Sequence, residues 1–512
     1  MKAFYPLIIA SLLAGSGFSS SAGANELLVP SQYPTIQAAI DAAVNGDTVV
    51  VSPGTYLENI DFLGKAITVS SSDGPEATLI DASLASSKVS VAAFQNGEGP
   101  DSVLQGFTLT KGKGTYVELP NPHDYSDFVG GGIFCNQASP TIRNNICFDN
   151  VSVYGGGIGC VHSAAPQIEG NTVVDNRATF GSGIACIDLA VPMLIGNRVM
   201  ENHGAHTGGG FYLWSSSPVV IDNLIEGNGA QFGGGIACII ASPLIANNLF
   251  HMNLGGYGGG IYGGFESMAQ IVNNTFYDNT APYGSALCSW RSSLSMDNCV
   301  VWSPETRDGP AILIGTTSNP STFHISHCNI KGGMAAVEVE PGCAFFWGEG
   351  MVNADPLFVD APSGDFHLIF NSPCRGSGDN AVAGVLDHDF EGDPRTAYGT
   401  VDIGADEFHT HLYYTGDVTP GGSIEGKLTG LPGTSPVALL FGVGVLEQPL
   451  STPWGEFFLQ PPWIVVLLGS LPSTGVLVLS DTLPVSPAAP YDVPMQALIG
   501  TELTNLSVIE VR

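Results

Sequence analysis

Between Gly130 and about Gly309 the chain writes one phrase seven times. GGGIFC begins at Gly130, GGGIGC at Gly155, GSGIAC at Gly181, GGGFYL at Gly208, GGGIAC at Gly233, GGGIYG at Gly258 and GSALCS at Gly284. The steps are 25, 26, 27, 25, 25 and 26 residues. Each start is followed by an Asn, at positions 145, 171, 197, 223, 248, 274 and 298. A Pro stands five residues before the first five of these. A period of this length marks a solenoid, in which each unit buries its apolar face only against the next.

Three apolar ladders choose the kind of solenoid. Ile133, Ile158, Ile184, Phe211, Ile236, Ile261 and Leu287 stand three residues after the first Gly. Ile142, Ile168, Leu194, Val220, Ile245 and Ile271 stand three before the Asn, and Cys147, Val173, Val199, Ile225, Phe250, Phe276 and Val300 two after it. These runs are short, rich in β-branched residues and bounded by Gly, Pro, Asn and Asp, which excludes a helical period. Three short strands per coil imply a three-sheet parallel β-helix with coils about 4.8 Å apart. Within a strand, Ile133 and Cys135 share the inward face and Phe134 points out. Asn tolerates a left-handed turn and its amide can bond its neighbours, so the Asn positions are expected to form a buried ladder.

On these residues the chain resembles the right-handed parallel β-helix proteins of the pectin-lyase-like superfamily, in the secreted bacterial form built from consecutive repeats. The resemblance spans roughly residues 27–408 and implies a fold more than an activity, because one fold hosts many functions. PTIQAAIDAAVNGDTVVV, from Pro34, is similar to the amino-terminal cap of that superfamily. Thr35 is placed to cap a helix carrying Ile36, Ala39, Ile40 and Ala43 on one face, ending by Gly46. The stretches NADPLFVDAPSGDFHLIFNSPCRGSGDN and DFEGDPRTAYGTVDIGADEF, within about 350–408, resemble a segment that finishes such solenoids. There Asp393, Arg395, Asp402 and Asp406 are expected to pair structurally, Arg being suited to holding carboxylates.

The ends read differently. Lys2, the apolar run Phe4–Leu13 and Ala22-Gly23-Ala24 describe a secretory signal peptide over residues 1–24. This makes the expected protein secreted or displayed at the cell surface, without a transmembrane segment and as a monomer. Residues 411–512 alternate apolar runs with Pro and Gly turns, as in a small β-sandwich-like domain. Its LPSTG, Leu471–Gly475, lacks the apolar stretch and basic tail of a sortase signal.

With 47 acidic and 15 basic residues, the net charge of −32 disfavours nucleic acid and anionic membranes. Calcium is the cation such an exported surface would attract. The ten Cys raise the question of disulfides. Cys135, Cys160, Cys186 and Cys238 share one inward register and read as buried thiols, whereas Cys343 and Cys374 are the best candidates for a bridge.

Candidate site residues come from two places. The long loop between Lys111 and Gly130 carries His123 and Asp124, whose PHD resembles the Asp-Pro-His-Asp/Glu signature of alginate epimerases. Asn121 stands where that signature has its first Asp. In the repeats, Asp149, Asp175 and Glu201 lie four residues after successive Asn, and Arg177 and His203 two further on. In register, these carboxylates form a row that would bind calcium and the acid group of a uronate. Arg177, His203 or His206 would then be the base that takes the α-proton. The alternative is a row of solvated turn residues. Pectate-lyase and polygalacturonase motifs are missing, apart from the fragment Asn202-His203-Gly204. Three classes therefore stay open: a uronic-acid lyase or epimerase, a polysaccharide-binding protein, and a structural or adhesive envelope protein.

Overall fold

The computed structural model describes residues 24–409, except 86, 120–127, 304–308, 316–317, 319, 384–385 and 397–398, and the backbone of strands between 412 and 511. The signal-peptide stretch, His123 and Asp124 lie outside the described residues.

The chain winds into a right-handed parallel β-helix of three long sheets with 13, 11 and 11 strands. The first sheet runs from Glu26–Val29 to Ala344–Trp347, the second from Ile60–Asp61 to Val337–Val339, and the third from Gly54–Tyr56 to Asn329–Ile330. The apolar ladders stack residue on residue: Ile133 on Ile158 on Ile184 in the second sheet, Ile142 on Ile168 in the first, Cys147 on Val173 in the third. All are fully buried in one continuous core. The short helix Ile36–Ala42 covers the start of that core, with the Thr35 side chain accepting from the Ala38 N–H at 3.1 Å. Beyond Leu412 the strands are antiparallel and pair only with one another among the described residues.

The triple glycines are needed where the coil corner is tightest. Gly208 has φ +71°, and a Cβ on Gly209 would sit 2.3 Å from the Gly234 carbonyl oxygen of the next coil. With the backbone of this coil as it stands, a side chain at Gly209 would push two coils apart, although Ser182 and Ser285 occupy the same position in two other coils.

The Asn residues form two buried ladders rather than one. In the first, Asn145, Asn171, Asn197, Asn223, Asn248 and Asn274 bond consecutively along the coils. Five residues later in each coil, Asn150, Asn176, Asn202, Asn228, Asn253 and Asn279 repeat the pattern. Asn298 is not the seventh rung expected from the sequence. It takes the left-handed turn (φ +53°), and the rung is Cys299, whose thiol accepts from the Asn274 N–H at 3.4 Å. Cys328 continues the ladder. The slip carries Val300 out of the core ladder and Val301 into it, since Phe276 pairs with Val301.

All ten Cys are free. The expected Cys343–Cys374 bridge is not formed: Cys343 accepts from the Ser321 N–H, and Cys374 from the Asn329 amide in a different coil.

The segment expected to finish the solenoid does something else. It turns back and straps the outside of earlier coils. Phe366 and Ala405 pack on Leu249 and Tyr277 outside the third sheet, and Val382 and Leu386 on Ala246 and Val272 outside the first. Buried Arg395 fixes the strap, donating to Asn247 Oδ1 at 2.6 Å and pairing with Glu407 Oε1 at 3.0 Å. Its carboxylate partner is thus Glu407. Asp402 accepts instead from Gly376 and Phe408, and Asp406 from Leu368.

Candidate functional site

The structure stacks the sequence-derived candidates in successive coils and divides them between two surfaces. Asp149, Asp175 and Glu201 occupy one turn position, all left-handed, with φ +53°, +50° and +53°. The same position holds Gly227, Met252 and Asp278 in later coils, so the backbone turn, and not a charge, is what repeats. Lys111 pairs with Asp149, and that contact raises the lysine pKa. Arg177 bridges Val151 on one side and His203 on the other, which puts the guanidinium and the imidazole in adjacent coils on the exposed edge.

His206 belongs elsewhere. It sits in a small fourth sheet, Ala205–Thr207, Gly229–Phe232 and Leu254–Tyr257, that flanks the outer face of the second sheet. Its ring lies 5.3 Å from Phe232 and 6.4 Å from Phe180, and Nδ1 is 3.0 Å from Thr207 Oγ1.

This edge and the sheet beside it enclose a groove of about 320 Å³ lined by Phe180, Tyr212, Phe232, Tyr262, Phe265 and Trp290, with His206 on the wall. The rings are ordered by the coil repeat. Tyr154 stacks on Phe180 at 5.0 Å, Phe232 on Tyr257 at 5.2 Å, and Tyr257 on Tyr283 at 4.6 Å. The floor comes from outward positions of the second sheet, where Tyr212 pairs with Ala237 and Ala237 with Tyr262. Burial pushes the Tyr212 and Tyr262 hydroxyls well above their usual range, so both stay protonated. Towards the start of the solenoid the same face is closed. Phe134 points outward as expected but is buried, because Val117, Leu119 and Val153 pack over that cluster. Farther along, Phe265 and Tyr283 are about half exposed and Trp290 is partly exposed.

These groove residues are absent from the sequence-derived site, although for Phe180 and Phe232 a signal is present. The residue before the Gly start is aromatic in five of the seven repeats, at Tyr154, Phe180, Phe232, Tyr257 and Tyr283.

Comparison with known proteins agrees with the architecture. A family described as "Right handed beta helix region" matches residues 61–228 and 194–348, more than half of the chain. The chain belongs to the right-handed β-helix family. No curated protein sequence matches this β-helix protein. Solved structures similar to it include the catalytic unit of a thermostable GH87 alpha-1,3-glucanase from Streptomyces thermodiastaticus strain HF3-3. That similarity is 14% identity over 67% of this chain and 70% of that one, with a TM-score of 0.35. Another is the enzymatically active domain of bacteriophage CBA120 tailspike protein 4, at 9% identity over 92% and 64%, TM-score 0.32. A third is the rice weevil pectin methyl esterase, at 13% identity over 62% and 80%, TM-score 0.17. Among the described residues, no helix of this β-helix protein is long and apolar enough to cross a membrane.

Proposed function

We propose that this chain is an exported protein that binds a polysaccharide along the aromatic groove beside the second sheet. The observation carrying the reading is two runs of stacked rings, Tyr154–Phe180 and Phe232–Tyr257–Tyr283, 4.6–5.2 Å apart within each run and separated by the coil that carries Thr207, beside a groove whose rim holds the half-exposed Phe265. Flat apolar faces edged by hydroxyl, indole and imidazole groups suit sugar rings, which present C–H faces and polar rims. An exposed aromatic groove on an acidic protein is also a feature that ordinarily marks a binding site.

The lining favours a neutral glycan over the uronate expected from the sequence. Among the described lining residues there is no Lys, Arg, Asp or Glu, and a net charge of −32 repels a polyanion. A uronate would need calcium, for which the row Asp149, Asp175 and Glu201 is the place to look.

The test is retention of the full chain on neutral α- and β-glucans, pectate and alginate, each with calcium and with chelator, while products are followed. Retention on a neutral glycan, lost in Trp290→Ala and Phe265→Ala but kept in Asp175→Ala, is the expected result. Calcium-dependent retention on pectate or alginate, lost in Asp175→Ala, would transfer the function to the carboxylate row. Release of unsaturated uronate would make the protein a lyase, and absence of retention on every glycan would leave a structural envelope role.

A further inference from the structure

A second site lies on the strap, away from the groove. We propose that His367, Glu391 and Asp406 bind a divalent transition cation, with zinc(II) the best match. The three residues come from separate stretches of the strap: His367 from the strand Asp365–Leu368, Glu391 from the turn after Phe390, and Asp406 from the DIGADEF run. Their potential ligand atoms all lie within 4.8 Å of one another.

Two further observations point to a ligand there. Asp406 is only 5% exposed. Its Oδ2 accepts from the Leu368 N–H at 2.8 Å, while its buried Oδ1 has no hydrogen-bond partner among the described residues. A buried carboxylate oxygen left unmatched is expensive unless something fills the space before it. That space is a cavity of about 150 Å³, lined by all three residues together with Arg198, Leu224 and Phe366.

The imidazole is also set up to ligate. His367 Nδ1 lies 2.7 Å from Asp365 Oδ1. With Nδ1–H donating to that carboxylate, the lone pair is on Nε2, which faces Glu391 Oε1 at 3.8 Å. This separation is too long for a hydrogen bond. It is close to the roughly 3.4 Å between ligand atoms when a tetrahedral ion holds nitrogen and oxygen at about 2.0–2.1 Å. A carboxylate that orients a metal-binding histidine is the usual outer support of such sites. One imidazole nitrogen with two carboxylate oxygens suits zinc better than calcium or magnesium, which prefer oxygen alone. Three protein ligands leave a position open towards the cavity. The cation would tie three stretches of the strap together on the outside of the third sheet.

The test uses the full chain stripped with chelator and dialysed, then titrated separately with zinc(II), manganese(II) and calcium(II) by calorimetry, with metal content and melting temperature measured. One zinc per chain and a higher melting temperature are expected. Glu391→Gln should melt like the stripped parent yet lose the zinc, and Asp365→Asn should weaken binding by about 10–100-fold. Sub-stoichiometric zinc, as when the Arg198 guanidinium alone balances the carboxylates, overturns the proposal. So does unchanged zinc binding in Glu391→Gln, or preference for calcium.

Discussion

Asn197 Oδ1 receives two hydrogen bonds from Asn171 of the preceding coil, one from its backbone N–H at 3.0 Å and one from its side-chain amide at 3.1 Å. The Asn197 amide in turn donates to the Ile168 carbonyl at 2.8 Å and to Asn223 Oδ1 at 3.0 Å. Every rung thus satisfies polar groups that the turn would otherwise bury without partners. Asn197→Ala is expected to destabilise the protein by about 1–3 kcal/mol for each buried group left unmatched. Asn202→Ala, in the second ladder, should match it. Asn298→Ala should act differently, because Asn298 bonds the backbone of Asp379 in the strap. It should loosen the strap to proteolysis while the coils persist. Urea unfolding combined with limited proteolysis measures both effects, and equal behaviour of Asn197→Ala and Asn298→Ala would refute the assignment.

Gly209→Ala tests the corner. The added methyl would meet the Gly234 oxygen at 2.3 Å and the Gly229 nitrogen at 2.7 Å, all backbone atoms that cannot rotate away. A loss of about 1–3 kcal/mol is expected from overpacking. Gly196→Ala is the control for a left-handed glycine with open space, since nothing among the described residues lies within 4 Å of a Cβ there. Thermal unfolding of the two variants should separate steric conflict from backbone strain.

The difference between these positions shows what the sequence made legible. Inward residues such as Ile133, Ile158 and Ile184 recur because every coil poses the same packing problem, so the fold could be read from their period. The Asn period is misleading at Asn298, because Cys299 fills the rung with a thiol and the adjacent Asn offers a false continuation. The second ladder, at Asn150 and its equivalents, has the same period as the first and is equally legible in the sequence. The strap is another matter. Arg395 meets Asn247 across 148 residues, and neither residue type announces its partner. The groove is intermediate. Its rings precede the glycines at a regular step, but only the fourth sheet shows that they face Tyr212 and Tyr262.

Thiol chemistry follows from the packing. Burial pushes Cys147 and Cys238 up to about 12 and raises Cys135 and Cys186 as well. The reactive form is the thiolate, so these residues should ignore a thiol reagent in the native protein. Cys160, whose pKa is lowered by hydrogen bonds from Cys135 and Cys186, is fully buried and out of a reagent's reach, so only the partly exposed Cys343 should react without unfolding. In denaturant without reductant, all ten thiols should titrate. Eight, restored to ten by reductant, would demonstrate a disulfide.

His388 supplies a pH dependence whose direction can be worked out. Its Nδ1 lies 2.9 Å from Asp387 and its Nε2 3.1 Å from Asp222. Bonding to Asp387 and then to Asp222 raises its pKa above the ordinary value of 6.5, against partial desolvation. A histidine with a raised folded pKa binds its proton more tightly when folded. Its contribution is therefore complete below the unfolded value near 6.5 and is lost as pH rises through the folded value. Asp222, whose own pKa is raised by burial, adds a separate loss that begins above the ordinary aspartate range. Since about a third of the His388 side chain is exposed, the effect should be modest. The melting temperature of the parent should fall relative to His388→Asn between about pH 6 and pH 8, with the gap closing at the alkaline end. A constant difference across that range would mean that the His388 ring holds the strap by its packing and not by charge, since the bond from Asn247 to the backbone carbonyl of residue 388 is common to both proteins.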